Sequence, residues 1–77
     1  MIVIWSWDCC PTCQHAKFFL EESNVPYIEK RLGVDYTIRE LKEATGKKEL
    51  PQFFIDDKYI GGYEYVFNNI EKIKEMI

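Results

Sequence analysis

Basic residues are in deficit in this 77-residue chain: 10 Lys and Arg face 13 Asp and Glu, a formal net charge of −3. No stripe of Lys and Arg gathers on one segment, so the electrostatic footprint of a nucleic-acid binder is missing. No apolar run approaches the roughly 20 residues that cross a bilayer as a helix. The apolar opening, Met1 to Trp7, lacks a basic leader region and is too short for a secretory signal. A soluble, cytoplasmic protein without membrane contact is the expectation. Glycine and proline are scarce, at 4 and 3 residues, and no repeat, linker or low-complexity tract divides the chain. The length fits one domain over residues 1–77.

Cysteine is also sparse, and its 3 residues are crowded together as Cys9, Cys10 and Cys13. Cysteines this close cannot tie distant parts of a chain, which excludes a structural disulfide framework. In a reducing compartment such a cluster is catalytic or metal-binding more often than structural. Aromatics are plentiful, at 16%. A chain near this size buries only about 60% of its unfolded surface, and each aromatic ring adds roughly 150–250 Å² to a thin core. Trp5, Phe18, Phe19, Phe53, Phe54 and Phe67 are expected as core and helix-packing groups rather than as a binding stripe. Trp7 and Tyr63 flank the cysteines and the second motif region, where an exposed aromatic would receive a protein substrate.

Ile2 to Trp5 is a continuous apolar run and reads as a strand buried on both faces. Pro11 suits a first helical turn, where its missing N–H costs nothing, and puts Cys10 near the N-cap. From Thr12 to about Asn24, Cys13, Ala16, Phe19 and Leu20 recur at helical spacing, and Pro26 ends the helix. Tyr27 to Leu32 alternates at strand period. Tyr36 to Thr45 returns to helical spacing, with Asp35 as the expected N-cap and Gly46 as the closing glycine. Gln52 to Ile55 and Lys58 to Ile60 are strands joined by the Asp56-Asp57 turn. Gly61-Gly62 breaks the chain before a helix from Glu64 to Ile77. The order β-α-β-α-β-β-α, with a right-handed first crossover, makes a mixed four-stranded sheet flanked by three helices, an α/β fold.

The chemistry concentrates in Cys10-Pro11-Thr12-Cys13, between a buried strand and a helix. Two intervening residues on a first helical turn bring the sulfurs within disulfide reach. The first sulfur then lies among orphan N–H groups at the positive end of the helix, which favours a thiolate, the attacking species. Cys13, one turn in, is expected to be more buried and to resolve a mixed disulfide. A metal reading stays open beside the redox one, because Cys9, Cys10, Cys13 and His15 are four soft or borderline ligands within seven residues. His15 otherwise reads as an exposed helix residue. Cys9 reads as a small apolar filler, with a third reactive thiol as the alternative. Leu50-Pro51 enters a strand, where the proline is either trans or the cis isomer of a specific turn.

Cys10-Pro11-Thr12-Cys13, Leu50-Pro51-Gln52 with Phe54-Ile55, and Tyr59-Ile60-Gly61-Gly62-Tyr63-Glu64 together resemble the glutaredoxins, of the thioredoxin-like fold. The resemblance covers nearly the whole chain. It implies glutathione-dependent thiol–disulfide exchange, a part in electron transport and cell redox homeostasis, with glutathione as cosubstrate and no bound cofactor or metal. It implies Cys10 as nucleophile, Cys13 as resolving thiol, Pro11 and Thr12 as support, and Pro51 as a cis-proline. It implies a glutathione site in which Leu50 pairs its backbone with the cysteinyl unit while Gly62, Tyr63 and Glu64 hold the γ-glutamyl end. The implied partners are glutathione and disulfide-containing or glutathionylated proteins, with ribonucleotide reductase among the candidates, acting on a monomer. Trp7 stands where many members carry a basic residue, and Glu49-Leu50 where Thr-Val is usual. Lys17, Lys47 and Lys48 are the cations expected to offset Glu49. These differences keep open a thioredoxin-like donor reduced by a flavoprotein reductase. A metal or iron–sulfur carrier using Cys10 is a further alternative.

Overall fold

A sheet with two fully covered central strands needs its most apolar segments in the middle, and this chain supplies two of them. In the computed structural model, which describes residues 1–77, Ile2–Ser6 (β1) and Gln52–Ile55 (β3) lie side by side in the order β2-β1-β3-β4. All four residues of β3 are buried, and β1 alternates buried with half-buried. The edges go to the more polar strands, Tyr27–Arg31 (β2) and Lys58–Gly62 (β4). Solvent can satisfy their outer backbone groups. β1 pairs parallel with β2 and antiparallel with β3, and β3 pairs antiparallel with β4.

Pro11–Glu22 (α1), Tyr63–Asn68 (α3) and Ile70–Met76 (α4) supply the groups that cover one face. Ile2, Ile4, Phe53 and Ile55 pack there against Ala16, Leu20, Val66 and Ile73. On the other face Trp5 stacks between Tyr36 at 4.4 Å and Phe54 at 4.8 Å. Ile38–Thr45 (α2) brings Ala44 to the edge of that stack. Phe53 and Phe54 are buried and Phe67 packs on Phe19 at 4.9 Å, as expected, but Phe18 is 62% exposed. Phe18 falls on the outer side of α1, between the inward Ala16 and Leu20, so the helical period itself sends it to solvent.

Three local expectations are corrected. Thr37, not Asp35, caps α2. Its hydroxyl accepts the Glu40 N–H while the Glu40 carboxylate accepts the Thr37 N–H, a reciprocal capping box. Asp35 instead accepts the Arg31 N–H at 2.8 Å and closes the turn after β2. Gly61-Gly62 does not break the strand: β4 runs through both, opposite Phe53 and Gln52. Gly61 has φ +137°, and a Cβ there would sit 3.1 Å from Tyr65 Cβ, so glycine lets α3 fold tightly back over the strand end. The last helix divides at Asn69, whose side-chain amide and backbone N–H both donate to the Tyr65 carbonyl. Those bonds stop α3, and the chain restarts as α4.

Candidate active site

The turn from β1 to α1 sets the first sulfur. The Cys10 N–H donates to the Trp7 carbonyl at 3.2 Å, which folds residues 7–10 back before the helix. Cys10 is the N-cap of α1, in extended conformation, with Pro11 at the first helical position. Its Sγ accepts the Cys13 N–H at 3.1 Å, taking one of the donors a helix start leaves free. The same sulfur lies 3.7 Å from the Leu50 carbonyl oxygen. Cys10 thus joins two segments separated by 40 residues, α1 and the loop entering β3.

Cys13 sits one turn further in and is fully buried, while Cys10 is half-buried, and both are free thiols. Burial pushes the Cys13 thiol up to about 12, and its hydrogen bond with Cys10 and the Cys10 charge act in the same direction. A hydrogen bond from the Trp7 backbone and the Lys17 charge oppose that rise. At neutral pH Cys13 is therefore a protonated thiol beside an accessible sulfur at a helix N-terminus. Such a pair can attack a disulfide from one sulfur and close a second disulfide from the other.

Behind the cysteines lies a polar network that sequence reasoning missed. Glu29 on β2 accepts from Lys17 Nζ at 2.8 Å and from Ser6 Oγ at 2.5 Å. Burial works against the Glu29 carboxylate, but these two hydrogen bonds, with the Lys17 and Arg31 charges, hold it below the usual carboxylate range. Lys17 is thereby committed to Glu29 rather than to Glu49. Tyr36 donates its buried hydroxyl to the Ser6 carbonyl at 2.7 Å, and burial followed by the nearby cysteines raises its pKa. Lys17 and Glu29 are 12 residues apart, and no short-range pattern joins them.

Three grooves flank the site. One, of about 350 Å³, is lined by Thr12, Leu50, Pro51, Gly62, Tyr63 and Glu64, with Lys47, Glu49, Gln52 and Tyr65 completing it. The residues named from sequence beside the cysteines therefore converge, apart from Pro11. The Leu50–Pro51 bond is cis, and the Leu50 N–H makes no hydrogen bond within the chain. Gln52 was missed: its amide donates to the Glu49 carbonyl and accepts from Tyr59 Oη, bracing the loop. Pro11 lines the second groove, of about 550 Å³, with Trp7, Cys10, Leu32, Ile38 and Leu50. Trp7 is 45% exposed, as an aromatic flanking the site should be, whereas Tyr63 packs against Phe19 and Phe67. Cys9 is exposed, so it fills no core space. His15 is exposed too. No group of three or more His, Cys, Asp and Glu side chains is arranged to hold a metal ion.

A family model described as glutaredoxin matches residues 2–60. The chain belongs to the glutaredoxin family. It is accordingly a thiol–disulfide oxidoreductase, with a Cys10–Cys13 spacing that fits a C-x-x-C active site. Glutaredoxin 1 of Rickettsia conorii is 37% identical over 71 residues, covering 87% of this chain and 69% of the relative. The crystal structure of glutaredoxin 1 from Francisella tularensis, complexed with cacodylate, is 31% identical with a TM-score of 0.72, covering 96% of this chain and 95% of that one. The buckwheat glutaredoxin–glutathione complex superposes with a TM-score of 0.79 at 25% identity, over 95% of this chain and 70% of that one. Glutaredoxins use glutathione as a substrate, and their thioredoxin-like α/β fold is the one described above.

Proposed function

We propose that the chain, as a single domain over residues 1–77, reduces protein disulfides and glutathionylated mixed disulfides with electrons from glutathione. The observation that carries this reading is the asymmetry of the two thiols beside one polar groove. Cys10 is reachable at a helix N-terminus, Cys13 is buried and protonated, and Thr12, Leu50, Pro51, Gly62, Tyr63 and Glu64 share a wall next to them.

Cys10 Sγ attacks one sulfur of the substrate disulfide; that S–S bond breaks and the other sulfur leaves as a thiolate. Where the attacked sulfur belongs to glutathione, the tripeptide remains on Cys10. The unpaired Leu50 N–H and the adjacent carbonyl present an edge for its cysteinyl backbone, with Gly62, Tyr63 and Glu64 at the γ-glutamyl end. Cys13, or a second glutathione thiol, then displaces it. Pro11 starts the helix that holds Cys10, Thr12 lines the groove, and Pro51 turns the Leu50 backbone toward the sulfur. Glutathione acts as cosubstrate, with no resident cofactor or metal. The substrates are disulfide-bonded or glutathionylated proteins, ribonucleotide reductase among them, met in the cytoplasm by a monomer.

A coupled turnover assay with a small glutathione mixed disulfide tests the electron source. Turnover with glutathione and its reductase supports the reading. Turnover only with thioredoxin reductase would instead assign the chain to thioredoxin-like donors. The exposed Trp7 in place of a basic residue and the Glu49 carboxylate in the groove are the features favouring that second reading.

A further inference from the structure

Cys13 must ionise to resolve a mixed disulfide, yet it is fully buried. A buried thiolate is costly unless positive charge or hydrogen-bond donors meet it. Four elements bring groups to it. From α1 come Cys10 and Lys17, and from the residue after β1 comes the Trp7 backbone, whose polar group opposes the rise in the thiol's pKa. From β2 comes Glu29, bound to Lys17, and after β2 the Tyr36 phenol, which donates to the Ser6 carbonyl. Lys17 is the one cation among them. Positions 13 and 17 are helix neighbours one turn apart.

Lysine is almost never well buried unless paired, and the Lys17 side chain is only 18% exposed. Its partner holds it there. Glu29 binds Lys17 at 2.8 Å and is itself tied to β1 by the Ser6 hydroxyl, from a fully buried serine directly before Trp7. The ammonium is thus kept under the sheet edge instead of extending into water.

We propose that Lys17 is a positioning residue for the resolving step: anchored by Glu29 one helical turn beyond Cys13, its ammonium keeps positive charge where the buried thiol must become a thiolate. The inference rests on the dithiol reading above. In that step the Cys13 S–H bond breaks and its proton passes to water. Cys13 Sγ bonds Cys10 Sγ, the bond from Cys10 to the substrate half breaks, and the substrate sulfur leaves with the electron pair. Over the two steps together the enzyme cysteines lose two electrons and the substrate disulfide gains them. The Lys17 charge lowers the Cys13 pKa against the larger effect of burial.

Stopped-flow reaction with the aromatic disulfide dithiobis-nitrobenzoate, in a Cys9→Ala background, reads both steps. One nitrothiobenzoate leaves when Cys10 attacks and a second when Cys13 resolves. Lys17→Gln is expected to slow the second phase about tenfold across the neutral range, the fold-change of a thiol pKa raised by about one unit. The first phase should stay as it is, and Lys17→Arg should restore the second. Lys17→Met, which keeps the packing of the stem, is the second variant should Lys17→Gln unfold, and it should reproduce the slowed phase. A second phase with the parent rate overturns the proposal, and so does equal slowing of both phases, which marks a structural role. If the parent protein releases no nitrothiobenzoate at all, the dithiol reading fails first and the inference falls with it.

Discussion

Phe18 and Phe53 look alike in the sequence, each an aromatic within an apolar stretch, and the structure predicts opposite fates for them on truncation to alanine. Phe53 is fully buried at the centre of β3, opposite Ile4 on one side and Gly61 on the other, within the cluster that includes Ala16, Leu20, Val66 and Ile73. Phe53→Ala removes the ring and leaves a cavity among groups from three helices, at a cost of about 3–5 kcal/mol. A domain of 77 residues has about 4–12 kcal/mol in total, so this one change consumes from about a quarter of the stability to all of it. With an unfolding entropy of roughly 0.16 kcal/mol/K for this length, a loss of about 4 kcal/mol lowers the Tm by about 25 °C. Phe18, 62% exposed, should cost no more than about 0.5 kcal/mol, or about 3 °C. Thermal and urea unfolding of the fully reduced variants, followed by fluorescence of Trp5 in its stack, would measure both. Comparable losses for the two substitutions would refute the assignment of the core to the α1–α3–α4 side of the sheet.

Other outcomes follow from the site. Cys10→Ser should abolish all exchange, whereas Cys13→Ser should keep deglutathionylation and lose most protein-disulfide reduction; equal loss in both variants would contradict the assigned roles. The Glu29 carboxyl titrates lower in the folded than in the unfolded state, so its contribution is present above the unfolded value and is lost as pH falls through the folded one. The stability gap between the parent protein and Glu29→Gln should accordingly be full near neutral pH and shrink below about pH 4, as chemical unfolding across pH would record. Glu49→Gln, removing a carboxylate from the groove proposed to hold glutathione, should lower the KM for glutathione by about fivefold or less, and added salt should erase the difference. Gly61→Ala meets both an unfavourable φ of +137° and a contact at 3.1 Å, and its urea midpoint should fall by the equivalent of about 1–3 kcal/mol.

Element order was legible because apolar period and turn chemistry are local. The β1 run, the proline-opened α1, the Asp56-Asp57 turn and the cysteine spacing each follow from a few adjacent residues. The same holds for Cys10 at the N-cap, since Pro11 can only begin a helix. Local reasoning erred where two local options competed. Asp35 and Thr37 are both capping residues, and the choice fell to Thr37 because Glu40 completes its box while Asp35 is occupied by the Arg31 N–H. Gly61-Gly62 signals a break, and only pairing with Phe53 and Gln52 makes it a strand.

By itself, then, the sequence determined the alternation of strands and helices and the two cysteines at a strand-to-helix turn, since these depend on contacts within a turn or two. The expected burial of Cys13 behind a reachable Cys10 was borne out by the packing; what that packing contains was left to tertiary structure. It brought the Leu50 carbonyl to Cys10 across 40 positions, and it tied Lys17, one helical turn beyond Cys13, to Glu29 on β2. The physical reason is that burial and charge act through space: the cost of ionising Cys13 depends on what other elements pack around it, and no spacing along the chain encodes that.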